Sequence, residues 1–316
     1  MNEKDYYKKL YNALICDNIG LFGAKSLKNY LYININQEEF AWLYELLDQV
    51  ELKYEFDMQK MLLPNYRKFY LWQRHFLGKV DSKRIGIAIE FIIFCCLVDK
   101  ILDSRRFTEK QKNHVCEKII TSNFSSLQEY KSQDFIELDI LLNDIRKYIV
   151  DSKSEEEEEL LNIIDKALAS EVYMYRNVLG FTDSMEKEDY HFLTDKSIEF
   201  EKAAFMLSTY NNNRVETNLA ATNVGEIFWI IDDLCDLIED VKCKQKNSLL
   251  FLNIDYEGNI DITKRVEHAC KNLGFYVSIL KDNLCQLKNN AGVDFYDYII
   301  NEIWEWCENV RTQSQV

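Results

Sequence analysis

The sequence predicts an all-α protein, on three observations. Its 316 residues include one proline, Pro64, where average usage near 5% would give roughly sixteen. Because proline and glycine interrupt helices, one proline and nine glycines allow long helices to run without a break. Apolar residues recur at helical spacing along most of the chain, and no segment shows the alternation of a half-buried strand. We therefore expect a single large helical bundle of roughly ten or more helices.

The helical elements follow from this periodicity in chain order. A short N-terminal helix and its connection are expected in residues 1–35, and the acidic run Asp151–Glu159 is interpreted as the solvated start of a later helix. No linker rich in glycine, serine or proline divides the chain, so residues 1–316 are predicted to form one α-helical domain. The periodic segments after residue 35 are 38–62, 65–78, 83–104, 108–122, 133–150, 155–178, 187–211, 214–242, 262–288 and 294–312.

Composition excludes several classes of protein. With 38 basic and 53 acidic side chains the net charge is −15, which argues against nucleic-acid binding. The N-terminus has no apolar signal segment, and the most apolar stretch, Ile85–Val98, is too short to cross a bilayer. The nine cysteines lack the spacing of a zinc site and are expected to be reduced core thiols. We therefore expect a cytoplasmic protein without a transmembrane segment.

Two segments that are apolar on nearly every side, Ile85–Val98 and Val224–Ile231, both end in aspartates. The first is followed by Asp99 and Asp103, which share a helix face at i and i+4. Either cluster alone could be a solvated helix face, but two at the ends of two buried helices indicate a site for cations such as Mg²⁺, which bind carboxylate and phosphate oxygens. The second cluster is a row at i, i+4 and i+8 with one adjoining carboxylate: Asp232, Asp236 and Asp240, with Asp233.

These motifs resemble those of the trans-polyprenyl diphosphate synthases. The segment 225–240 begins GEIFWIIDDLCD and is similar to their second aspartate-rich motif, Gly-x-x-Phe-x-x-x-Asp-Asp-x-x-Asp. Asp99–Asp103 occupies the place of the first motif, and the segment at Lys202, KAAFM, resembles the Lys-Thr-containing helix whose lysine contacts diphosphate. The resemblance covers roughly residues 85–250. It implies the class I isoprenoid synthase fold, a helical bundle around a deep apolar cavity, and a homodimer.

The resemblance also implies roles for individual residues. Roughly three Mg²⁺ ions with bound diphosphate are expected, and the expected catalytic ligands are Asp99, Asp103, Asp232 and Asp236. Asp233 and Asp240 are expected to be metal ligands or to hold the ligands in place. Candidate diphosphate contacts are Lys202, Arg105, Arg106, Lys242 and Lys246, although the two arginines could equally pair charges at a helix end and the last two lysines could be solvated. Candidate cavity residues, each also compatible with ordinary core, are Phe91, Phe94, Cys95, Phe228 and Trp229, with Phe200, Phe205, Tyr173 and Tyr175 as additions.

The chain departs from the elongating members of that family at the second-substrate site. Its first motif is DxxxD instead of DDxxD, and the Gly-Lys-x-x-Arg signature that binds isopentenyl diphosphate is absent, the nearest basic residues being Arg67, Lys68 and Arg74. We therefore expect a terpene synthase that ionises one prenyl diphosphate of about ten to twenty carbons and yields a hydrocarbon or alcohol. The alternatives are a trans-prenyltransferase that condenses prenyl diphosphates, a head-to-head coupling enzyme similar to squalene and phytoene synthases, and an inactive regulatory subunit.

Overall fold

The structure is a computed structural model that describes residues 3–16, 58–103, 106–121, 133–151, 155–178, 189–210, 212, 214–243, 247–250 and 262–315. Within these ranges it contains α-helices and one short 3-10 helix but no strand, so the predicted all-α class is confirmed. The helices are α1 (Glu3–Cys16), α2 (Met58–Phe76), α3 (Ser82–Asp103), α4 (Glu109–Thr121), α5 (Gln133–Asp151), α6 (Glu157–Val178), α7 (Asp189–Ser208), α8 (Val215–Cys243), α9 (Ile262–Lys271), α10 (Leu273–Asn290) and α11 (Val293–Gln315).

Two predicted elements differ from the structure by more than about three residues. The single helix predicted at 262–288 is two helices that meet at Asn272, whose backbone N–H is shared between the carbonyls of His268 and Ala269 at 3.1 Å each. The Asn272 side chain also donates to the His268 carbonyl at 2.9 Å, which closes α9. The helix predicted at 38–62 lies mostly outside the described residues. The helix predicted at 65–78 corresponds to α2, which begins at Met58 and runs through Pro64 instead of starting after it. At this position, the seventh of the helix, a proline removes one i to i−4 hydrogen bond and its ring crowds the carbonyl one turn earlier.

Local capping explains where α3, which carries the first aspartates, and the following helix α4 begin. The carboxylate Oδ1 of Asp81 accepts from the backbone N–H groups of Lys83 at 3.1 Å and Arg84 at 3.3 Å, which caps the start of α3. Thr108 and Gln111 exchange side-chain and backbone hydrogen bonds at the start of α4, a capping box. Although α3 is apolar on most sides, no helix in the described ranges is both long enough and apolar enough to cross a membrane.

The core places α7 in the middle of the bundle. An aromatic cluster of Trp72, Phe205 and Phe295 joins α2, α7 and α11, with ring centroids 4.5 to 5.6 Å apart. Helix α7 also packs against α6, α8 and α3. The N-terminal helix α1 packs on α11, and the Tyr6 hydroxyl donates to the Leu234 carbonyl of α8 at 2.6 Å. Residues on α7 are therefore within reach of both aspartate-bearing helices.

A glycine sets the spacing between α7 and α8. A Cβ atom added to Gly225 would lie 2.6 Å from the backbone oxygen of Ile198 and 2.9 Å from its Cα. Any larger residue would therefore push the two helices apart. Because the two helices are joined by a short connection, they run antiparallel, and the close approach at Gly225 holds the Lys196 end of α7 beside the Asp232 region of α8.

Candidate functional site

A cavity of about 320 Å³ opens between α3, α6, α7 and α8, with one side chain from α11. Its polar part is formed by Asp99 of α3, Glu171 of α6, Lys196 of α7 and Asp232 of α8. The two aspartate motifs, separated by more than a hundred residues in the chain, therefore face one space. The rest of the wall consists mainly of aliphatic and aromatic side chains: Val98, Ala167, Leu168, Phe200, Phe228 and Trp306.

Lys196 joins carboxylates from two helices at the polar part of the cavity. Its Nζ lies 3.3 Å from Oδ1 of Asp99 and 3.0 Å from Oε2 of Glu171. Burial alone would lower the pKa of the Lys196 ammonium, but Glu171 and Asp99 raise it above its ordinary value. Burial raises the pKa of Glu171, and Lys196 opposes that rise. The ammonium therefore stays charged and supplies a positive charge between the acidic groups.

The row of carboxylates on α8 carries more negative charge than its surroundings offset. Burial, followed by repulsion from Asp236 and Asp240, raises the pKa of Asp232 to about 7, and Lys196 only partly opposes this. Burial and Glu239 raise the pKa of Asp236, and burial raises the pKa of Asp240 to about 6. Asp232 is open to the water of the cavity although protein surrounds it on most sides. A cation bound here would relieve the repulsion within the row.

Asp233 is engaged by the protein. Its Oδ2 accepts hydrogen bonds from Nε1 of Trp229 at 2.9 Å, from the backbone N–H of Ser248 at 3.2 Å and from the Ser248 hydroxyl. The Asn247 amide bridges the Asp233 carbonyl at 2.8 Å and the Asp240 carboxylate at 3.0 Å. The segment after α8 therefore fixes the orientation of the acidic row, and Asp233 is placed to hold that row and not to face the cavity.

The candidate cavity residues divide between the wall and the core behind it. Cys95 and Phe228 line the cavity. Phe91 is buried and stacks on Phe200 with ring centroids 5.7 Å apart, so it supports a wall residue from behind. The remaining two candidates, Phe94 and Trp229, are also core residues that do not line the cavity.

The candidate diphosphate contacts are only partly described. Arg106 is exposed beside the Phe107 ring, and Lys242 lies 3.9 Å from Glu239 of the same helix. Lys202 is half-buried on α7 and does not line the cavity. Asp103 is the last residue of α3 but its side chain lies outside the described part of the structure, as do the residues Arg105 and Lys246.

Lys196 is the functional candidate that the sequence motifs miss. Lys202 lies six positions further along α7, about 240° around the helix, and so belongs to a different face. A weak signal for Lys196 exists in the sequence, because Phe200 lies four residues after it and shares its face. A lysine chosen because it shares a helix face with the candidate wall residue Phe200 is Lys196, whereas resemblance to the family motif selects Lys202.

The acidic groups suit a divalent cation. Among the side chains that the structure describes, no three or more form a ready-made metal-binding cluster. Mg²⁺ is commonly held by one or two carboxylates together with substrate phosphates and water, and does not need an all-protein cage. Asp99 and Asp232, with Asp236 and Asp240 adjoining, offer the oxygen donors that this mode of binding uses, and the repulsion within the row on α8 favours a cation.

A buried ion pair lies at the apolar end of the cavity. Glu201, one of the lining residues, accepts from Nζ of Lys68 at 3.2 Å and 3.4 Å through its two carboxylate oxygens. The same ammonium lies over the Phe228 ring, 4.7 Å from its centroid. The Lys68 and Glu201 side chains are 5% and 12% exposed. The pair therefore places a carboxylate beside the otherwise apolar wall.

Comparison with known proteins adds no family to this description. No model of a known protein family matches the chain, and no curated protein matches it. In the residues that the structure describes, it defines an all-α bundle with a cavity that is acidic at one end and largely apolar at the other.

Proposed function

We propose that the protein is a Mg²⁺-dependent class I terpene synthase. Its substrate is one allylic prenyl diphosphate of about ten to twenty carbons, which ionises to a carbocation and diphosphate. The observation that supports this most strongly is that Asp99 and Asp232, from two separate aspartate motifs, face one cavity whose remaining wall is mainly apolar. A prenyl diphosphate has the same division, an anionic head and an apolar chain.

The acidic end of the cavity receives the diphosphate. Asp99, Asp232 and Asp236 would hold Mg²⁺, with Asp240 adjoining, and the bound metal supplies Lewis-acid stabilisation of the leaving diphosphate. Lys196 donates to the diphosphate as a point charge, because its ammonium already lies between the acidic groups of α3 and α6. Asn247 keeps the Asp240 carboxylate in place at 3.0 Å.

The apolar end shields the cation. Water that reached a carbocation would convert it to an alcohol, so the wall has to exclude water after ionisation. Phe200, Phe228 and Trp306 line this end, and their ring faces attract positive charge. The cavity therefore provides a binding environment for the chain of the substrate and for the cation that forms from it.

The contacts of the basic residues nearest to the missing isopentenyl diphosphate signature bear on whether the protein uses one substrate or two. A prenyltransferase needs basic groups for the diphosphate of a second substrate. Lys68 is paired with Glu201, and the guanidinium of Arg74 lies over the Tyr70 ring at 6.0 Å from its centroid. Arg74 is exposed, so it is the pairing of Lys68 that supports a terpene synthase over the alternative, a trans-prenyltransferase.

The test is product analysis with purified protein. Mg²⁺ and geranyl, farnesyl or geranylgeranyl diphosphate are supplied, each with and without isopentenyl diphosphate, and released diphosphate and extracted products are measured. We expect a terpene from one substrate alone, and we expect Asp99→Asn to abolish it. The matched control is Asp165→Asn, which removes a carboxylate that pairs with Arg146 away from the cavity. A longer diphosphate formed only with isopentenyl diphosphate would establish the prenyltransferase instead, and no release from any substrate would overturn both.

A further inference from the structure

The carboxylate of Glu201 has no evident role in binding a diphosphate. Glu201 and Lys196 both line the cavity from α7, about 7.5 Å apart along the helix axis and about 140° apart around it. Lys196 is at the acidic end of the cavity, whereas Glu201 adjoins the apolar wall near Phe228. Its charge is therefore separated from the row of carboxylates that would hold Mg²⁺.

Stability alone gives little reason for an ion pair in this position. Removing two charges from water carries a desolvation cost that the attraction between them often fails to offset, and well-packed apolar residues are frequently as stable. Lys68 is nearly enclosed, since the Phe228 and Phe205 rings lie 4.7 Å and 5.5 Å from its Nζ. The Lys68–Glu201 pair carries this desolvation cost, and yet Glu201 lines the cavity. This combination indicates that Glu201 has a function besides stabilising the fold.

We propose that Glu201 is the base that ends the reaction. This inference rests on the proposed function. The cation formed by loss of diphosphate gives up a proton from a carbon next to the cationic centre. The C–H bond breaks, its electron pair becomes the second bond of an alkene, and the proton bonds to a carboxylate oxygen of Glu201. The product is a neutral hydrocarbon, and the proton passes to water after the product leaves.

Other groups along the wall are poorer bases. Cys95 and Cys96 also line the cavity, and burial raises the pKa of both thiols, that of Cys96 to about 11. Both are therefore neutral at ordinary pH. Glu171 and Asp99 lie beside Lys196 at the acidic end, and the row on α8 is assigned to Mg²⁺. Glu201 is also paired with a lysine, so its position beside the apolar wall is what distinguishes it. Within the described lining, Glu201 is the carboxylate that adjoins the apolar wall and has no assignment at the acidic end.

A second carboxylate allows Lys68 to remain charged when Glu201 is protonated. Glu302 is half-buried near the pair, and burial raises its pKa to about 7 while Lys68 opposes that rise. Glu201 adds to the pKa of Glu302 by repulsion. Protonation of Glu201 removes that repulsion and favours ionisation of Glu302, which then offsets the Lys68 ammonium. The step therefore does not leave a buried cation uncompensated.

The experiment compares Glu201→Gln with Glu199→Gln. Glu199 is a matched control because it lies on the same helix, is also 12% exposed and is also paired with a lysine, Lys166 at 2.8 Å, but does not line the cavity. Each variant receives Mg²⁺ and the substrate that the wild-type protein uses, and diphosphate release and product identity are measured separately. For Glu201→Gln we expect the yield of the wild-type hydrocarbon per diphosphate released to fall about 100-fold, with alcohols or other isomers in its place. Glu199→Gln is expected to give the wild-type products.

The two readouts separate the proposals. A wild-type protein that releases no diphosphate overturns the proposed function itself. A wild-type product that is an alcohol, or wild-type products from Glu201→Gln, overturns the role of Glu201 and leaves the proposed function standing. If Glu201→Gln loses diphosphate release, the double variant Lys68→Met, Glu201→Gln removes the unpaired ammonium. Restored release with altered products then supports the role, whereas restored release with wild-type products, or no release, overturns it.

Discussion

Neutralising Asp232 is expected to stabilise the metal-free protein while removing its response to Mg²⁺. The change Asp232→Asn keeps the size of the side chain and removes one charge from the acidic row of α8. The pKa of Asp232 is raised from 3.8 to about 7, so the folded state binds its proton more tightly than the unfolded state does. The Asp232 carboxylate therefore costs stability that grows as the pH rises from about 4 to 7 and is fully present at pH 8.

The size of the effect follows from that rise. A change from 3.8 to about 7 corresponds to roughly 4 kcal/mol at full strength. Because the carboxylate is open to cavity water, screening reduces this to about 1–2 kcal/mol. A gain of that size raises the unfolding midpoint by about 2–6 °C in a large domain. At pH 5 the midpoints of the variant and the wild-type protein should lie closer together, since much of the cost is then absent.

Thermal unfolding at pH 5 and pH 8, with and without Mg²⁺ and inorganic diphosphate, measures both effects. Ligand at about 100 times its dissociation constant stabilises the wild-type protein by about 2.7 kcal/mol, and Asp232→Asn should lose most of this. Glu216→Gln is the control, because it removes the same charge from the first turn of α8, where an acidic residue is favourable. A metal-free midpoint below that of the wild-type protein at pH 8, or an undiminished response to Mg²⁺, would refute the reasoning.

Two further substitutions have matched controls. Lys196→Met should lower the rate of diphosphate release at least about tenfold, measured at saturating Mg²⁺, because a charged contact at the diphosphate end is lost. Lys202→Met on another face of α7 should change it less than about threefold, and equal losses would contradict the assignment of Lys196. Gly225→Ala should lower the free energy of unfolding by about 1–3 kcal/mol in a denaturant titration, because its Cβ would lie 2.6 Å from the Ile198 oxygen. Gly274→Ala, whose Cβ meets nothing within 4 Å, should be neutral or slightly stabilising, and a similar loss in both would argue against the close approach of α7 and α8.

The fold class was predictable because it depends on local features that the sequence displays directly. Scarcity of proline and apolar periodicity identified α3 and α8 and their bounds to within a residue or two. The break at Asn272 was not predictable in this way. The Asn272 side chain bonds to the His268 carbonyl and so ends α9, although the apolar repeat continues through this position.

In the site, the predictable residues were those whose orientation can be inferred from their own helix. Asp99 and Asp232 were found because each follows a buried apolar segment within its helix, and both line the cavity. The separation of Asp233 from its neighbour Asp232 depends on the hydroxyl of Ser248, which arrives from a segment beyond the end of α8. The ion pair of Lys68 and Glu201 depends on contact between α2 and α7, 133 residues apart in the chain, and neither residue belongs to a motif.

Two glutamates on α7 show why helix face, more than burial, decides what a charge can do. Glu199 and Glu201 are two positions apart and so point about 200° apart around the helix. Their side chains are equally exposed, and each is paired with a lysine. The partner of Glu199 is Lys166, which is 49% exposed and also pairs with Asp195, so water and a second carboxylate can replace Glu199. The partner of Glu201 is enclosed, and Glu201 lines the cavity. The substitution to glutamine should therefore cost more stability at Glu201 than at Glu199, and it should change the products at Glu201 alone, an effect that loss of a structural ion pair does not explain.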